Sequence, residues 1–84
     1  MPSYDLTCPS SATYGTEADV HAKTDDTGIN QIRLTSPDRD ELKYDTDVWF
    51  KVPIKHTEGV NLKVTFEGKG GYVTETKYGH IDVV

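Results

Sequence analysis

The chain has 84 residues and a formal net charge of −5, and its seven lysines and two arginines are spread along the sequence. This is the length of one small domain, which buries a limited fraction of its surface. Nucleic acids and anionic membranes bind clustered cationic side chains, so the charge argues against both as partners. No apolar run approaches the ~18 residues that a membrane-spanning helix needs.

The composition favours strands over helices. Eleven threonines and eight valines outnumber three alanines and four leucines. Residues branched at Cβ suit the pleated backbone and are poorer helix formers. No window shows the apolar repeat of an amphipathic helix. The sequence therefore predicts an all-β fold.

The first half of the chain predicts four short strands, over residues 4–8, 18–23, 29–35 and 41–44. In each of the first three, apolar side chains alternate with polar ones, which is typical of a strand with one buried face. The connections between them are rich in Asp, Gly, Ser and Pro, the residues of turns. The fourth segment predicts a short edge strand.

The second half shows the strongest alternation. Residues 47–54 and 60–67 each place four large apolar side chains on one face, and a last strand is predicted over 72–83. In that last strand the side chains of Tyr72 and Tyr78 are predicted to point to the face opposite that of Ile81. A one-residue bulge at 79–80 would bring both sets to the core, and the sequence predicts one there.

Seven short strands at about ten-residue spacing predict a single domain over residues 1–84, folded as an Ig-like antiparallel β-sandwich. A half-closed barrel is the alternative.

Three segments resemble bacterial and phage Ig-like domains. Residues 9–24, PSSATYGTEADVHAKT, resemble the turn and strand that open those repeats, and VWFKVP at 48–53 and NLKVTF at 61–66 resemble later strands. The resemblance implies the fold and no activity by itself. Antibody-type domains pair two cysteines around a buried tryptophan, whereas this chain has only Cys8, so that subclass is not expected.

Catalytic and cofactor motifs are missing from the sequence. A Cys8–histidine pair is the one candidate for nucleophilic catalysis, and nothing in the pattern brings His21, His56 or His80 beside Cys8. The glycines at 68, 70 and 71 lack the following helix of a phosphate-binding loop. We expect a non-enzymatic protein without a cofactor, in which Cys8 is a small core residue.

Two interpretations of the acidic turns stay open. Asp25, Asp26, Asp45 and Asp47 are predicted to lie at one end of the sandwich, where clustered carboxylates would ligate Ca²⁺. The simpler interpretation is that aspartate is common in turns because it caps the backbone in water.

Trp49 is the most informative single residue. It is predicted on the polar face of its strand, between Asp47 and Lys51. Tryptophan is enriched at the centre of protein interfaces, so these three residues are the candidate partner-binding site. A covering loop, or a face assignment wrong by one residue, would instead bury Trp49.

Three functions follow as hypotheses. The first is a phage virion component, either a head-decoration or a tail-associated protein, that docks on a protein partner or self-assembles. The second is a module of a secreted bacterial surface or carbohydrate-binding protein. The third is a small acidic inhibitor or immunity-type protein. The N-terminus shows no signal peptide pattern, so the compartment is expected to be the virion, or extracellular for an excised module.

Overall fold

A computed structural model describes all 84 residues and has two β-sheets. The all-β sandwich predicted from the sequence is confirmed. No helix is long and apolar enough to span a membrane. The eight strands are β1 (Tyr4–Thr7), β2 (Ser11–Ala12), β3 (Glu17–Thr24), β4 (Gln31–Ser36), β5 (Glu41–Lys43), β6 (Asp47–Pro53), β7 (Val60–Glu67) and β8 (Val73–Val83).

The strands form one three-stranded and one five-stranded sheet. The smaller sheet has the order β1-β3-β6, and both of its pairings are antiparallel. The larger has the order β2-β8-β7-β4-β5, in which only the two-residue β2 runs parallel to its neighbour. The sequence analysis did not predict β2. It forms because the main chain after Pro9 pairs with Asp82 and Val83 at the end of β8.

The core lies between the two sheets and follows from the alternation in β3, β6 and β7. Every second side chain of these strands points to the facing sheet, which is why period-2 order in the sequence becomes a buried layer. Each fully buried Val, Leu, Ile or Phe stabilises the fold by about 1.5–3 kcal/mol. The fifteen buried apolar residues are Ala18, Val20, Ala22, Ile29, Ile32, Leu34, Val48, Phe50, Val52, Ile54, Val60, Leu62, Val64, Phe66 and Ile81.

The bulge predicted at residues 79–80 is wrong. Pairing of β8 with β7 is regular there, and the shift in register lies at the other end, beside Phe66 and Glu67. Tyr72 and Tyr78 therefore remain outside, and each is 74% exposed. Gly79 occupies an inward-facing position of β8, where β1 packs so closely that there is little room for a side chain. A Cβ on Gly79 would lie 3.3 Å from the Sγ of Cys8.

Candidate functional site

Trp49 lies midway along β6, an edge strand of the three-stranded sheet, and points to the outer face of that sheet. It is paired directly with His21 of β3, and the imidazole and indole are stacked, with centroids 4.3 Å apart and planes 9° apart. The stack covers one face of the indole, and the side chain is still 56% exposed. The predicted outward orientation of Trp49 is thus what the structure has, and no loop covers it.

Asp47 and Lys51 flank Trp49 on β6, and each is tied to a charged or titratable side chain of β3. The Nε2 of His21 lies 2.6 Å from Asp47 Oδ1. The ammonium of Lys51 donates to Asp19 Oδ1 at 2.9 Å, and this hydrogen bond raises the pKa of Lys51 above its ordinary value. We call the outer surface formed by Asp19, His21, Asp47, Trp49 and Lys51 the Trp49 face.

An open groove borders this face where β6 meets the edge of the other sheet. Its volume is about 670 Å³, and its walls are formed by Asp19, Arg39, Glu41, Lys43, Trp49 and Lys51. Arg39 donates to the carbonyl oxygen of Lys51 at 3.0 Å, and Lys43 donates to that of Trp49 at 2.5 Å. The guanidinium of Arg39 is also paired with the carboxylate of Glu41.

The sequence analysis missed the far wall of this groove. Arg39, Glu41 and Lys43 come from the connection before β5 and from β5 itself, which belongs to the five-stranded sheet. Only the packing of the two sheets brings them beside Trp49. A turn with Asp and Arg followed by Glu-Leu-Lys carries no local signal for such a contact.

A second, smaller cavity of about 330 Å³ continues along β6 and shares Arg39 with the first. It is lined by Pro37, Asp38, Arg39, Val52, Pro53, Lys55 and His56. The Nε2 of His56 lies 3.3 Å from Asp38 Oδ2. Neither cavity brings a nucleophile beside a base.

The four aspartates proposed for Ca²⁺ have separate hydrogen-bond partners. Asp26 accepts from the hydroxyl of Tyr4 and, at 2.9 Å, from the backbone N–H of Gly28. Asp25 accepts from the N–H of Ser3, Asp45 from that of Thr46, and Asp47 contacts His21. No three metal-ligating side chains converge anywhere in the molecule.

The pair of Tyr4 and Asp26 links β1 to the turn before β4. Accepting the phenol hydrogen bond lowers the pKa of Asp26, with a further contribution from Gly28. The same bond raises the pKa of Tyr4 to about 12. Asp26 therefore acts as a turn cap and as the anchor of the first strand.

Cys8 is half-buried against the core, and its thiol does not meet an imidazole. The Sγ lies 3.8 Å from the carbonyl oxygen of His80. The ring of His80 turns away, with Nδ1 2.8 Å from Asn61 Oδ1 and Nε2 3.1 Å from Asp82 Oδ1. A cysteine–histidine pair of the catalytic type is not formed at Cys8.

A buried carboxylate lies on the outer side of the five-stranded sheet. Glu67 is 3% exposed and accepts from Gln31 at 2.7 Å, from Arg33 Nε at 2.8 Å and from Thr65 at 3.0 Å. Burial raises the pKa of Glu67, but the hydrogen bonds from these three residues outweigh it and hold the pKa below its ordinary value. Of the other nitrogens of Arg33, Nη2 also donates to Glu67 at 3.3 Å and Nη1 donates to Asp40 at 2.6 Å. The group is saturated with partners, so we interpret it as structural.

No family model matches the chain, and a search of curated proteins found no match. Among solved structures, the chain is similar to the sulfur carrier protein SoxY from Chlorobium limicola f thiosulfatophilum. The TM-score is 0.73 at 17% sequence identity, over 96% of this chain and 78% of that one. At this identity the likeness shows the fold alone.

The virion function predicted from the sequence is wrong. The similar structure is a sulfur carrier protein, and no comparison gave support for a virion role. The two other functions inferred from the sequence receive no support either. The error has a physical origin: alternating strands and Asp-rich turns specify a sandwich, and many unrelated functions share that architecture.

Proposed function

We propose that this chain is a non-catalytic protein-recognition module that binds its partner through the Trp49 face and the groove beside it. The observation that carries the proposal is the position of Trp49, which is more than half exposed on the outer face of an edge strand and borders an open groove. A lone exposed leucine is ordinary on a protein surface. A tryptophan held in one orientation beside an arginine has the composition of an interface hot spot.

Pre-organisation supports this assignment. His21 fixes the plane of the indole, and the ion pair of Lys51 with Asp19 fixes the neighbouring polar groups. Side chains that are already ordered lose less conformational entropy on binding, which increases affinity. The Trp49 face therefore offers a rigid aromatic anchor within a rim of charges of both signs.

The pairing of the groove's charges favours a protein over a carbohydrate. Asp19 is bound to Lys51 and Glu41 to Arg39, so both carboxylates of the groove are already engaged by cations. Sugar hydroxyls need free acceptors and donors around the aromatic ring. A protein partner needs instead an apolar centre with a polar rim, which is the arrangement here.

Site-specific photo-crosslinking tests the proposal. A benzophenone amino acid replaces Lys51 in one variant and Lys63, on the outer side of the five-stranded sheet, in the control. We expect the probe at Lys51 to crosslink one polypeptide in the native host, and the probe at Lys63 not to crosslink that polypeptide. The crosslinked protein is then purified and titrated against the unlabelled wild type and against Trp49→Ala.

The titration decides the assignment. We expect saturable binding that Trp49→Ala weakens by about 2 kcal/mol or more, the range of a hot-spot residue, while Tyr44→Ala has little effect. Equal binding by wild type and Trp49→Ala would exclude this face. Binding to a glycan array that is lost in Trp49→Ala would overturn the protein assignment in favour of a carbohydrate.

Sulfur carriage, the role named for the similar structure, is the second candidate, because the likeness to SoxY favours it. In this chain covalent sulfur would need Cys8, the single cysteine. Its sulfur is half-buried between β1 and β8, which is a poor position for exchange with a donor. We therefore rank recognition above carriage. Rapid modification of the folded chain by tetrathionate, seen as an added mass that Cys8→Ala lacks, would reverse that order.

A further inference from the structure

Strand β8 has a long bare edge. Its only hydrogen-bonded neighbour on that side is β2, which pairs with Asp82 and Val83 alone, so no strand is hydrogen-bonded to that side of residues 73–80. The N–H of Asp82 donates to the carbonyl oxygen of Ser10, just before β2, and that of Val84 to Ala12 of β2, at 2.9 Å each. Main-chain groups alternate in direction along a strand, so those of Thr76 and Tyr78 also point to the bare edge.

The other sheet edges are shorter or blocked. The carbonyl oxygens of Trp49 and Lys51 on β6 accept hydrogen bonds from Lys43 and Arg39. At the remaining edges β1 has four residues and β5 has three. Unpaired edges attract other strands, and proteins usually shield them. The edge of β8 is therefore the longest sheet edge without hydrogen-bond partners.

The charges of this edge are complementary to themselves. Glu75 and Lys77 are both half-buried, and neither forms an ion pair within the chain. The carboxylate of Glu75 accepts only a 3.2 Å hydrogen bond from the N–H of Thr76, and pairing of this edge would replace that bond with one from the same N–H to a main-chain carbonyl. If two antiparallel copies of β8 meet about Thr76, each Glu75 lies opposite a Lys77.

The neighbouring registers lack this match. In an antiparallel pair, the residues whose main-chain groups face the edge must lie opposite one another. The alternative registers are therefore centred on single residues on either side of Thr76. Pairing centred on Glu75 opposes two glutamates, and pairing centred on Lys77 opposes two lysines; both are unfavourable. Pairing centred on Tyr78 leaves Lys77 opposite Gly79, without a counter-charge.

We propose that two copies of this chain dimerise by antiparallel pairing of their β8 edges about Thr76, which joins the two five-stranded sheets into one continuous sheet. The two-fold axis passes between the paired Thr76 residues, so the interface is closed and self-complementary. This dimer is independent of the Trp49 face, which lies on the other sheet.

The charges of Glu75 and Lys77 also oppose pairing of this edge with unrelated strands. A charged side chain that points inward on an edge strand opposes pairing, because a foreign strand would bury it without a partner. A second β8 supplies a Lys77 for Glu75 and a Glu75 for Lys77. Glu75 and Lys77 therefore exclude other strands and admit their own copy.

Charge reversal tests the register. Sedimentation equilibrium from micromolar to millimolar concentration is expected to show a reversible dimer for the wild type. Lys77→Glu and Glu75→Lys each place like charges opposite one another and should weaken dimerisation about tenfold or more. The double variant restores opposite charges and should recover the wild-type constant. Lys23→Glu changes the net charge as Lys77→Glu does but lies on β3 of the three-stranded sheet, and it should have little effect.

Engineered cysteines test the geometry in a Cys8→Ala background. In the proposed dimer the two Thr76 Cα atoms lie about 5.5 Å apart, within disulfide range. The two Tyr78 Cα atoms lie about 14 Å apart, since each is displaced by two residues from the axis. Oxidation should link Thr76→Cys as a dimer and leave Tyr78→Cys monomeric.

The contrary results are distinct. A wild type that stays monomeric at millimolar concentration overturns the proposal, and so does a dimer that Lys77→Glu leaves intact or that the double variant fails to restore. Crosslinking through Tyr78→Cys instead of Thr76→Cys overturns the register. A dimer lost in Trp49→Ala but kept in Lys77→Glu places the contact on the Trp49 face. Circular dichroism of each variant confirms that it is folded.

Discussion

The imidazole of His21 lies flat against the indole of Trp49, with ring centroids 4.3 Å apart, while its Nε2 contacts Asp47 Oδ1 at 2.6 Å. The two rings come from directly opposed residues of β3 and β6. Asp47 holds the imidazole, and the imidazole holds the indole. One face of Trp49 is thereby covered, and the other is left to the groove.

Removing the imidazole is expected to free Trp49. In His21→Ala the indole gains solvent contact and mobility, so its fluorescence should shift to longer wavelength and acrylamide should quench it more strongly. The lost aromatic contact should lower the free energy of unfolding by about 1 kcal/mol. His56→Ala, which removes an imidazole that contacts Asp38 and not Trp49, serves as the control. Unchanged quenching in His21→Ala would show that the stack does not restrain Trp49.

Glu67 should make stability depend on acid pH. Its folded pKa is lowered, so its contribution is complete above the unfolded value of about 4.3 and is lost as the pH falls from there through the folded pKa. Glu67→Gln leaves Arg33 without its buried partner and should cost about 3 kcal/mol at neutral pH. Denaturant unfolding across the acid range should show a flatter pH dependence for this variant.

The exposed Glu17→Gln provides the control for that series. It should change the free energy of unfolding by no more than about 0.5 kcal/mol and keep the acid slope of the wild type. If Glu67→Gln retained the full wild-type slope, the acid transition would belong to other carboxylates.

Tyr4 should give the opposite dependence at alkaline pH. Its hydrogen bond to Asp26 raises its folded pKa to about 12, above the unfolded value of about 10. The contribution is thus complete below about pH 10 and is lost as the pH rises towards 12. The melting temperature of the wild type should fall over this interval more than that of Tyr4→Phe. Difference absorbance of tyrosinate between the two proteins measures the Tyr4 titration directly, and a midpoint near 10 would refute the hydrogen bond.

Gly79 and Cys8 should be energetically coupled. A methyl group at Gly79 would approach Cys8 Sγ to 3.3 Å and the Leu6 and Leu62 side chains to 3.4 Å, so the neighbours must move. Gly79→Ala is expected to cost about 1–3 kcal/mol, as overpacking does. In a Cys8→Ala background the added methyl has more room, and the cost should be smaller by about 0.5 kcal/mol or more. Strictly additive effects would mean that Cys8 does not limit this position.

Calcium is expected not to stabilise the fold. The carboxylates of Asp25, Asp26, Asp45 and Asp47 are each engaged locally, and no three ligating side chains converge. A ligand that binds only the folded state raises the melting temperature, by an amount that grows with the logarithm of its concentration above Kd. Melts with excess Ca²⁺ and with chelator should coincide. A rise that Asp26→Asn abolishes would restore the calcium hypothesis.

The amino-acid sequence by itself determined which way the side chains of the main strands point. In residues 47–54 and 60–67 the apolar side chains recur at every second position, and a strand presents alternate residues to opposite faces. That local rule was enough to predict Phe50 in the core and Trp49 on the opposite face, whereas the absence of a covering loop over Trp49 was decided by the tertiary structure. It was also enough to predict a sandwich, because several such strands must bury their apolar faces against one another.

Only the tertiary structure decided what lies beside each outward side chain. Arg39 and Lys43 approach β6 beside Trp49 from the side of the other sheet. Arg33 pairs with the buried Glu67, and Gly79 leaves room for β1 to pack against β8. These contacts join residues distant in sequence, and they depend on sheet order and register, which a period of two does not encode. The same separation explains the failed virion hypothesis: alternation specifies an architecture, and the recognition chemistry is assembled on it by contacts between strands.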